Sequence, residues 1–318
     1  MNITKYGMAE DSVLNYLPTE SPPENLVSNT LRGVQLPLVT RHTLSWISAV
    51  AAEFERQAMW RHIRGYRFAT YGLADTDYEY VGFAVLAYAD PVAFGPDPTL
   101  DLKVANHVFR VFIRRGVLIN QAPAIHPQMG RSCCWASSRN HAQDAILTAE
   151  HVVRKQLGGI PPKMGDAVAF LDKSGNTIGN GAVVDIAQPG IDAILVAPPP
   201  SPPDRTPASV APQGTPINVN PYVAALSSAT IAFGSGSVPT KVTSVTDPNH
   251  WQSPYFPSRV MLLNWGQAGD SGTLTFDSQN NAIGIYAGEW KDSQGRFIEG
   301  VAQHMGQAAH TMGLTLRD

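Results

Sequence analysis

The chain has 318 residues, 43% of them hydrophobic and 15% charged, which is material for a substantial core and length for two domains. A formal net charge of -3 offers no basic field of the kind that collects phosphates, which argues against nucleic acid as a main partner. No window approaches the roughly 20 apolar residues that span a bilayer, and MNITKYGMAEDSVLNYLPTE has no basic region followed by an apolar run, so a soluble protein with no membrane partner and no classical export signal is expected.

Residues 1–38 mix Pro, Ser, Asn and charge without a sustained period and read as an irregular arm. From Thr43 to Arg64, Leu44, Ile47, Val50, Ala51, Phe54 and Ala58 recur at helical spacing, with Thr43 as N-cap and Gly65 as the stop. His42 and His62 stand at no metal-site spacing and read as surface or capping groups. DYEYVGFAVLAYA and NHVFRVFIRRGVLI follow as strands, giving a small α+β domain over 39–129, a candidate regulator.

Beyond it come short apolar segments separated by Gly, Asn, Asp and Ser, the texture of antiparallel barrels or sandwiches. DKSGNT and DSQNNA read as hairpin turns. The two cysteines, Cys133 and Cys134, are adjacent, and neighbours rarely bridge, so they read as small strand residues. With no disulfide framework, a reducing, cytoplasmic setting is expected. Residues 197–216, rich in Pro, read as an exposed connector between two barrels or a loop over a site. A terminal helix is predicted over Val301–Met312 with Gly313 as its stop. His304 and His310, six apart, do not share a helix face and read as structural. Neither a metal nor a cofactor is expected.

GQAGDSGTLTF, residues 266–276, raises the question of chemistry, because Gly-Asp-Ser-Gly is also a common turn composition. A serine hydroxyl is a weak nucleophile at neutral pH and needs a base, a carboxylate to orient that base, and donors for the oxyanion. His151 follows the apolar run in AILTAEHVV, and Asp192 opens another in PGIDAILVAP. Asp185, in VVDIA, is a rival for the acid; Ser235 and Ser237, in FGSGS, are rivals for the nucleophile.

ILTAEHV, IDAILV and AGDSGTLTF, in the order His, Asp, Ser, resemble the three catalytic segments of chymotrypsin-like (trypsin-like) serine peptidases. The separations, 192 − 151 = 41 and 271 − 192 = 79 residues, leave room for the rest of one barrel and most of a second. The resemblance covers about Gly130 to Asp318. It implies a mainly β fold of two antiparallel six-stranded barrels with a C-terminal helix, split near the Pro-rich connector, and an active site in the cleft. It also implies Ser271 as nucleophile, His151 as general base, Asp192 as its orienting acid, and backbone N–H groups of Gly269 and Ser271 as the oxyanion hole. Trp265 would lie at the base of the specificity pocket, and Tyr286, Ala287 and Gly288 on the strand that receives substrate backbone. No Asp stands at the pocket base, so a small or apolar residue is expected on the acyl side of the cleaved bond, unless Glu289 points inward.

Several positions depart from the family pattern. Glu150 precedes the base and is read as facing solvent. Val152 and Gln267 stand at two disulfide positions without cysteine, and Thr273 replaces a second glycine. No Ile-Val-Gly-Gly segment precedes the first barrel, so Asp270 must find a partner other than a new N-terminal amine or stay solvated. The implied function is an intracellular serine endopeptidase, bacterial or phage-associated, acting on a dedicated protein partner or on its own Pro-rich connector. The alternatives are a catalytically silent trypsin-like fold serving as a binding scaffold, and an interaction protein working through its N-terminal domain.

Overall fold

The computed structural model describes residues 20–22, 41–60, 65–76, 80–93, 99–120, 134–171, 176–199, 215–233, 236–246, 257–264 and 270–317. The arm apart from residues 20–22, and the centre of the Pro-rich connector, residues 200–214, lie outside them. Helix α1 (Arg41–Trp60) buries Ile47, Val50, Ala51 and Phe54 of the stripe the periodicity predicts, and Trp46 beside it. Thr43 is inside α1 and does not cap it, because the helix begins two residues earlier. Gly65 does adopt a left-handed conformation, φ 87°, but at the entry to the first strand and not at the helix end.

Strands β1 (Tyr66–Thr76), β2 (Tyr80–Ala89), β3 (Thr99–Val104) and β4 (His107–Arg115) pair in the order β1-β2-β4-β3, and α1 packs on them through Trp46, Ala49, Val50 and Phe54. β5 (Val117–Asn120) leaves that sheet. The next part contains β6 (Cys134–Ser137), β7 (Ala145–Thr148), the short helix α2 (Glu150–Gln156), β8 (Ala167–Leu171), β9 (Thr177–Ile186), β10 (Ile194–Ala197) and β11 (Pro216–Ile217). The last part contains β12 (Ser228–Phe233), β13 (Gly236–Val245), β14 (Arg259–Leu262), β15 (Leu274–Asp277), β16 (Ala282–Lys291), β17 (Phe297–His304), helix α3 (Met305–Met312) and β18 (Thr315–Arg317).

Strands β12-β15-β16-β17-β14-β13 form a six-stranded antiparallel barrel, closed because β12 also pairs with β13. The preceding strands form a seven-stranded sheet, β11-β18-β6-β7-β10-β9-β8, into which the chain end returns through β18. This is a mainly β architecture with a C-terminal helix; where two six-stranded barrels were expected, one closed six-stranded antiparallel barrel stands beside a second sheet of seven strands. The two parts share one core: Val152 and Val153 of α2 and Leu195 of β10 cluster with Leu274 and Ile285 of the barrel and with Met305, Ala308 and Met312 of α3. Helix α3 therefore seals the junction by apolar burial.

The N-terminal strands extend the barrel sheet, since β1 pairs with β13 at Tyr71↔Val245 and Gly72↔Ser244. Glycine is required there: a Cβ on Gly72 would lie 2.3 Å from Thr243 O. DSQNNA turns as predicted, with Asn280 at φ 60° and the Asp277 carboxylate accepting from Gln279 N and Asn281 N. The predicted helix start at Val301 is corrected, because Val301–His304 are the end of β17 and only Met305 onward is helical. A short, wholly buried apolar run carries no period that separates strand from helix, and pairing with β14 and β16 decides it. Gly313, φ 65°, ends α3 as expected. Among the described residues no helix is long and apolar enough to cross a membrane.

Candidate active site

Strand register brings the first two candidate residues together. β7 and β10 pair antiparallel with Thr148 opposite Ile194, so the chain leaving β7 toward His151 meets the chain entering β10 from Asp192. Ala149, extended at φ -72° and ψ 136°, turns the strand into α2, and His151 is the second residue of that helix. Its backbone N–H donates to Asp192 Oδ1 at 3.0 Å, and its Nδ1 lies 2.7 Å from Asp192 Oδ2. An ionised carboxylate only accepts, so Nδ1 carries the proton of the neutral ring and Nε2 is the basic nitrogen. Nε2 is buried and makes no hydrogen bond.

Burial acts to raise the Asp192 carboxyl, but attraction to His151, the two hydrogen bonds from that residue and the charge of Arg259 outweigh it and hold the group at about 2. The acid is also anchored from the opposite part of the protein. Its backbone N–H donates to Gln303 Oε1 at 3.0 Å, and Arg259 Nη1 donates to the same oxygen. Arg259 Nη2 donates to Gly190 O at 3.2 Å, two residues before the acid. The Gln303 amide in turn donates to Gln307 Oε1, which accepts from Ser258 N. Sequence reasoning missed Gln303, Arg259 and Gln307. The legible signal was two glutamines inside the apolar run VAQHMGQAAH, since buried amides require partners.

Ser271 sits in a turn that the barrel braces. Asp270 O accepts from Thr273 N at 3.1 Å and from Thr273 Oγ1 at 2.8 Å, so threonine at 273 ties the turn with its hydroxyl. Gly272, φ 93°, supplies the left-handed conformation, and its N–H donates to Tyr286 O at 2.8 Å. Ser271 is fully buried, and its Oγ donates to Ala287 O at 2.7 Å. With Nε2 of His151 unbonded, the serine–imidazole hydrogen bond is not made in this structure. Gly269 and Trp265 lie outside the described residues.

Tyr286 departs from the expectation for substrate contact. Its ring is buried in the barrel core, and both its peptide groups serve the serine turn, its N–H donating to Thr273 O at 2.8 Å. Ala287 offers its carbonyl to Ser271, and Gly288 lies against β5. Glu289 is buried and ion-paired with Lys291 at 2.8 Å. Glu150 pairs with Arg154 at 2.8 Å, and its side chain is only 15% exposed, so it is covered more than the solvent-facing reading expected. The rival Asp185 accepts from Ser138 Oγ at 2.5 Å and Asn140 Nδ2 at 3.2 Å, so it is committed elsewhere. Ser237 pairs with Ala232 in the β12–β13 ladder, and Ser235 lies outside the described residues.

His304 caps α3, its Nδ1 accepting from Gln307 N, and burial alone lowers it to about 4. It is a neutral structural group at physiological pH. Cys134 is a buried thiol on β6; Cys133 lies outside the described residues. Among the described residues no group of three or more His, Cys, Asp or Glu side chains is arranged to hold a metal ion.

No protein-family model and no curated protein matches the sequence. Solved structures similar to it include the Nocardiopsis protease NAPase, 17% identical over 59% of this chain and 92% of that one, with a TM-score of 0.38. Thermobifida fusca protease A is 16% identical over 58% and 89%, also at 0.38. Cellulomonas bogoriensis chymotrypsin is 13% identical over 58% and 96%, at 0.36. These likenesses are of fold.

Proposed function

We propose that the protein is a serine endopeptidase with Ser271 as nucleophile, His151 as general base and Asp192 as the acid that orients it. One observation carries the reading: a buried imidazole whose Nδ1 is held by a carboxylate has its other nitrogen unclaimed, in a fold whose third element braces a serine turn. His304 also has a buried Nε2 without a hydrogen bond, but its Nδ1 only accepts from a backbone N–H; what sets His151 apart is the carboxylate on Nδ1, which fixes the tautomer and would stabilise the imidazolium that proton transfer forms.

In the proposed cycle Ser271 Oγ exchanges its bond to Ala287 O for one to His151 Nε2 and attacks the substrate carbonyl as its proton passes to Nε2. Asp192 stabilises the imidazolium and keeps the ring oriented, and the N–H groups of Gly269 and Ser271 receive the oxyanion. The proton then goes to the leaving amine, and water resolves the acyl-enzyme by the same path. Substrates are proteins or peptides with a small or apolar residue on the acyl side, met in the cytoplasm.

The decisive experiment is labelling of wild type and Ser271→Ala by a fluorophosphonate, with intact mass locating the adduct. Labelling at Ser271 that vanishes in the variant is the expected result. The bond from Ser271 Oγ to Ala287 O favours one second reading, a silent scaffold, and absence of labelling on folded protein would select it.

A further inference from the structure

One edge of β16 can be followed residue by residue past the candidate nucleophile. Gly284 and Ile285 face Thr275 and Leu274 of β15. Tyr286 exchanges backbone hydrogen bonds with Gly272 and Thr273, and Ala287 O accepts from Ser271 Oγ. From Gly288 to Lys291 the same edge is taken by β5, in the antiparallel register Asn120, Ile119, Leu118, Val117. The opposite edge belongs to β17. Ser271 thus stands where the turn leading into β15 ends and β5 begins.

The direction of β5 gives this arrangement its meaning. Because β5 is antiparallel to β16, it runs from Lys291 toward Gly288, and its last residue, Asn120, is one position from the carbonyl that Ser271 holds. A peptide strand on this edge with this polarity presents its acyl side to Ser271. Strand addition of this kind takes its affinity from main-chain hydrogen bonds, so any extended substrate would need the backbone groups that β5 now holds.

The fit between the two strands is made by backbone. A Cβ on Gly288 would lie 2.2 Å from Ile119 O, and one on Gly116 would lie 2.1 Å from Lys291 O. Gly116 N also donates to Ala89 O, which ties the start of β5 to the end of β2. Of the side chains, Leu118 packs on the cluster containing Phe68, Tyr88 and Trp290, while Val117 and Ile119 face outward, 40% and 42% exposed.

We propose that β5 is a cis-acting strand that occupies the acyl-side peptide edge of β16, so that extended peptides reach Ser271 only when β5 is displaced. The inference rests on the peptidase reading above, and it makes the chain's own segment the first occupant of the site. A small electrophile needs Ser271 but not the edge; a peptide needs both.

Two variants and two readouts test it. Val117 and Lys291 are directly opposed, at a Cα separation that a disulfide accepts, so a Val117→Cys/Lys291→Cys protein can be locked by oxidation and released by reductant. Leu118→Ala loosens β5 by removing its half-buried apolar anchor. The readouts are the rate of fluorophosphonate labelling and kcat/KM for an extended tetrapeptide amide.

Leu118→Ala should raise peptide kcat/KM about tenfold, chiefly through KM, with labelling within about twofold of wild type. Oxidation of the double variant should lower peptide turnover at least about tenfold and reduction should restore it, again with little change in labelling; the reduced form of the same protein is the folding reference. Equal peptide hydrolysis in oxidised, reduced and loosened forms, all labelled at Ser271, overturns the role of β5 and leaves the peptidase reading intact. Folded protein that is labelled in no form overturns the peptidase reading and the role of β5 together.

Discussion

Replacement of Asp192 by Asn tests whether the carboxylate is the electrostatic centre of the site. The carboxyl is held at about 2 against an ordinary 3.8, a difference of about 1.8 units, and at 1.36 kcal/mol per unit this is about 2.4 kcal/mol of folding stability at neutral pH. The side chain is only 14% exposed, so solvent screening removes little of that figure. A folded value below the unfolded one means the contribution is complete above 3.8 and is lost as pH falls through about 2. Urea denaturation of wild type and Asp192→Asn should therefore differ by about 2 kcal/mol at pH 7 and by roughly half of that at pH 3. Phosphonate labelling of Ser271 should slow by about 10⁴, because an amide facing Nδ1 favours the wrong tautomer. A stability gap that does not change between pH 7 and pH 3, or labelling at the wild-type rate, would refute the reasoning.

Gln303→Leu removes the oxygen shared by Asp192 N–H and Arg259 Nη1, leaving the Asp192 N–H unpaired while Arg259 Nη1 keeps its bond to Ser258 O. Stability should fall by about 1 to 3 kcal/mol in urea denaturation and labelling should slow at least about tenfold; normal labelling of folded variant would assign Gln303 to the fold alone. His304, held at about 4 against 6.5, stays neutral while the unfolded chain takes up a proton, so stability is kept above 6.5 and is lost as pH falls from there through about 4, by up to roughly 3 kcal/mol. His304→Asn keeps a capping acceptor and should flatten that part of the pH–stability curve; an unchanged slope would show that the loss arises from other groups.

Much of the candidate site was legible because its parts are local. The strand endings at His151 and Asp192, and the tight turn at Ser271, each need a few neighbouring residues of fixed type, and their order along the chain singled them out together as candidates. What was not legible depends on pairing across long stretches of sequence. Gln303 acts on Asp192 from 111 residues away, and nothing near either residue announces the other. The slip in expectation at Tyr286 has a similar cause: which peptide groups of β16 stay open follows from its register with the serine turn, and that register is set by Gly272 and Thr273. The terminal helix was placed four residues early because β17, buried on both faces and paired on both edges, has no polar alternation to mark it as a strand.

The N-terminal sheet meets both sides of the site, and its two contacts differ in strength. Phe68 of β1 lies under the Arg259 guanidinium, 5.8 Å from ring centroid to Cζ, next to the anchor of Asp192. Nearby, the buried Tyr88 hydroxyl donates to the Glu299 carboxylate, which also accepts from Thr243 Oγ1 at 2.6 Å. Separating that sheet from the barrel would take the Tyr88 donor from a buried carboxylate and leave it only Thr243 of β13, a cost of about 1 to 3 kcal/mol beyond the lost strand pairing. β5 is four residues long, with three of its residues exposed and one half-buried apolar anchor, Leu118. Displacement of β5 is therefore much easier than displacement of the sheet that carries it. The physical asymmetry allows the peptide edge to open while Arg259, Gln303 and Asp192 keep their arrangement, so that access to Ser271 and the orientation of its base are separately controlled.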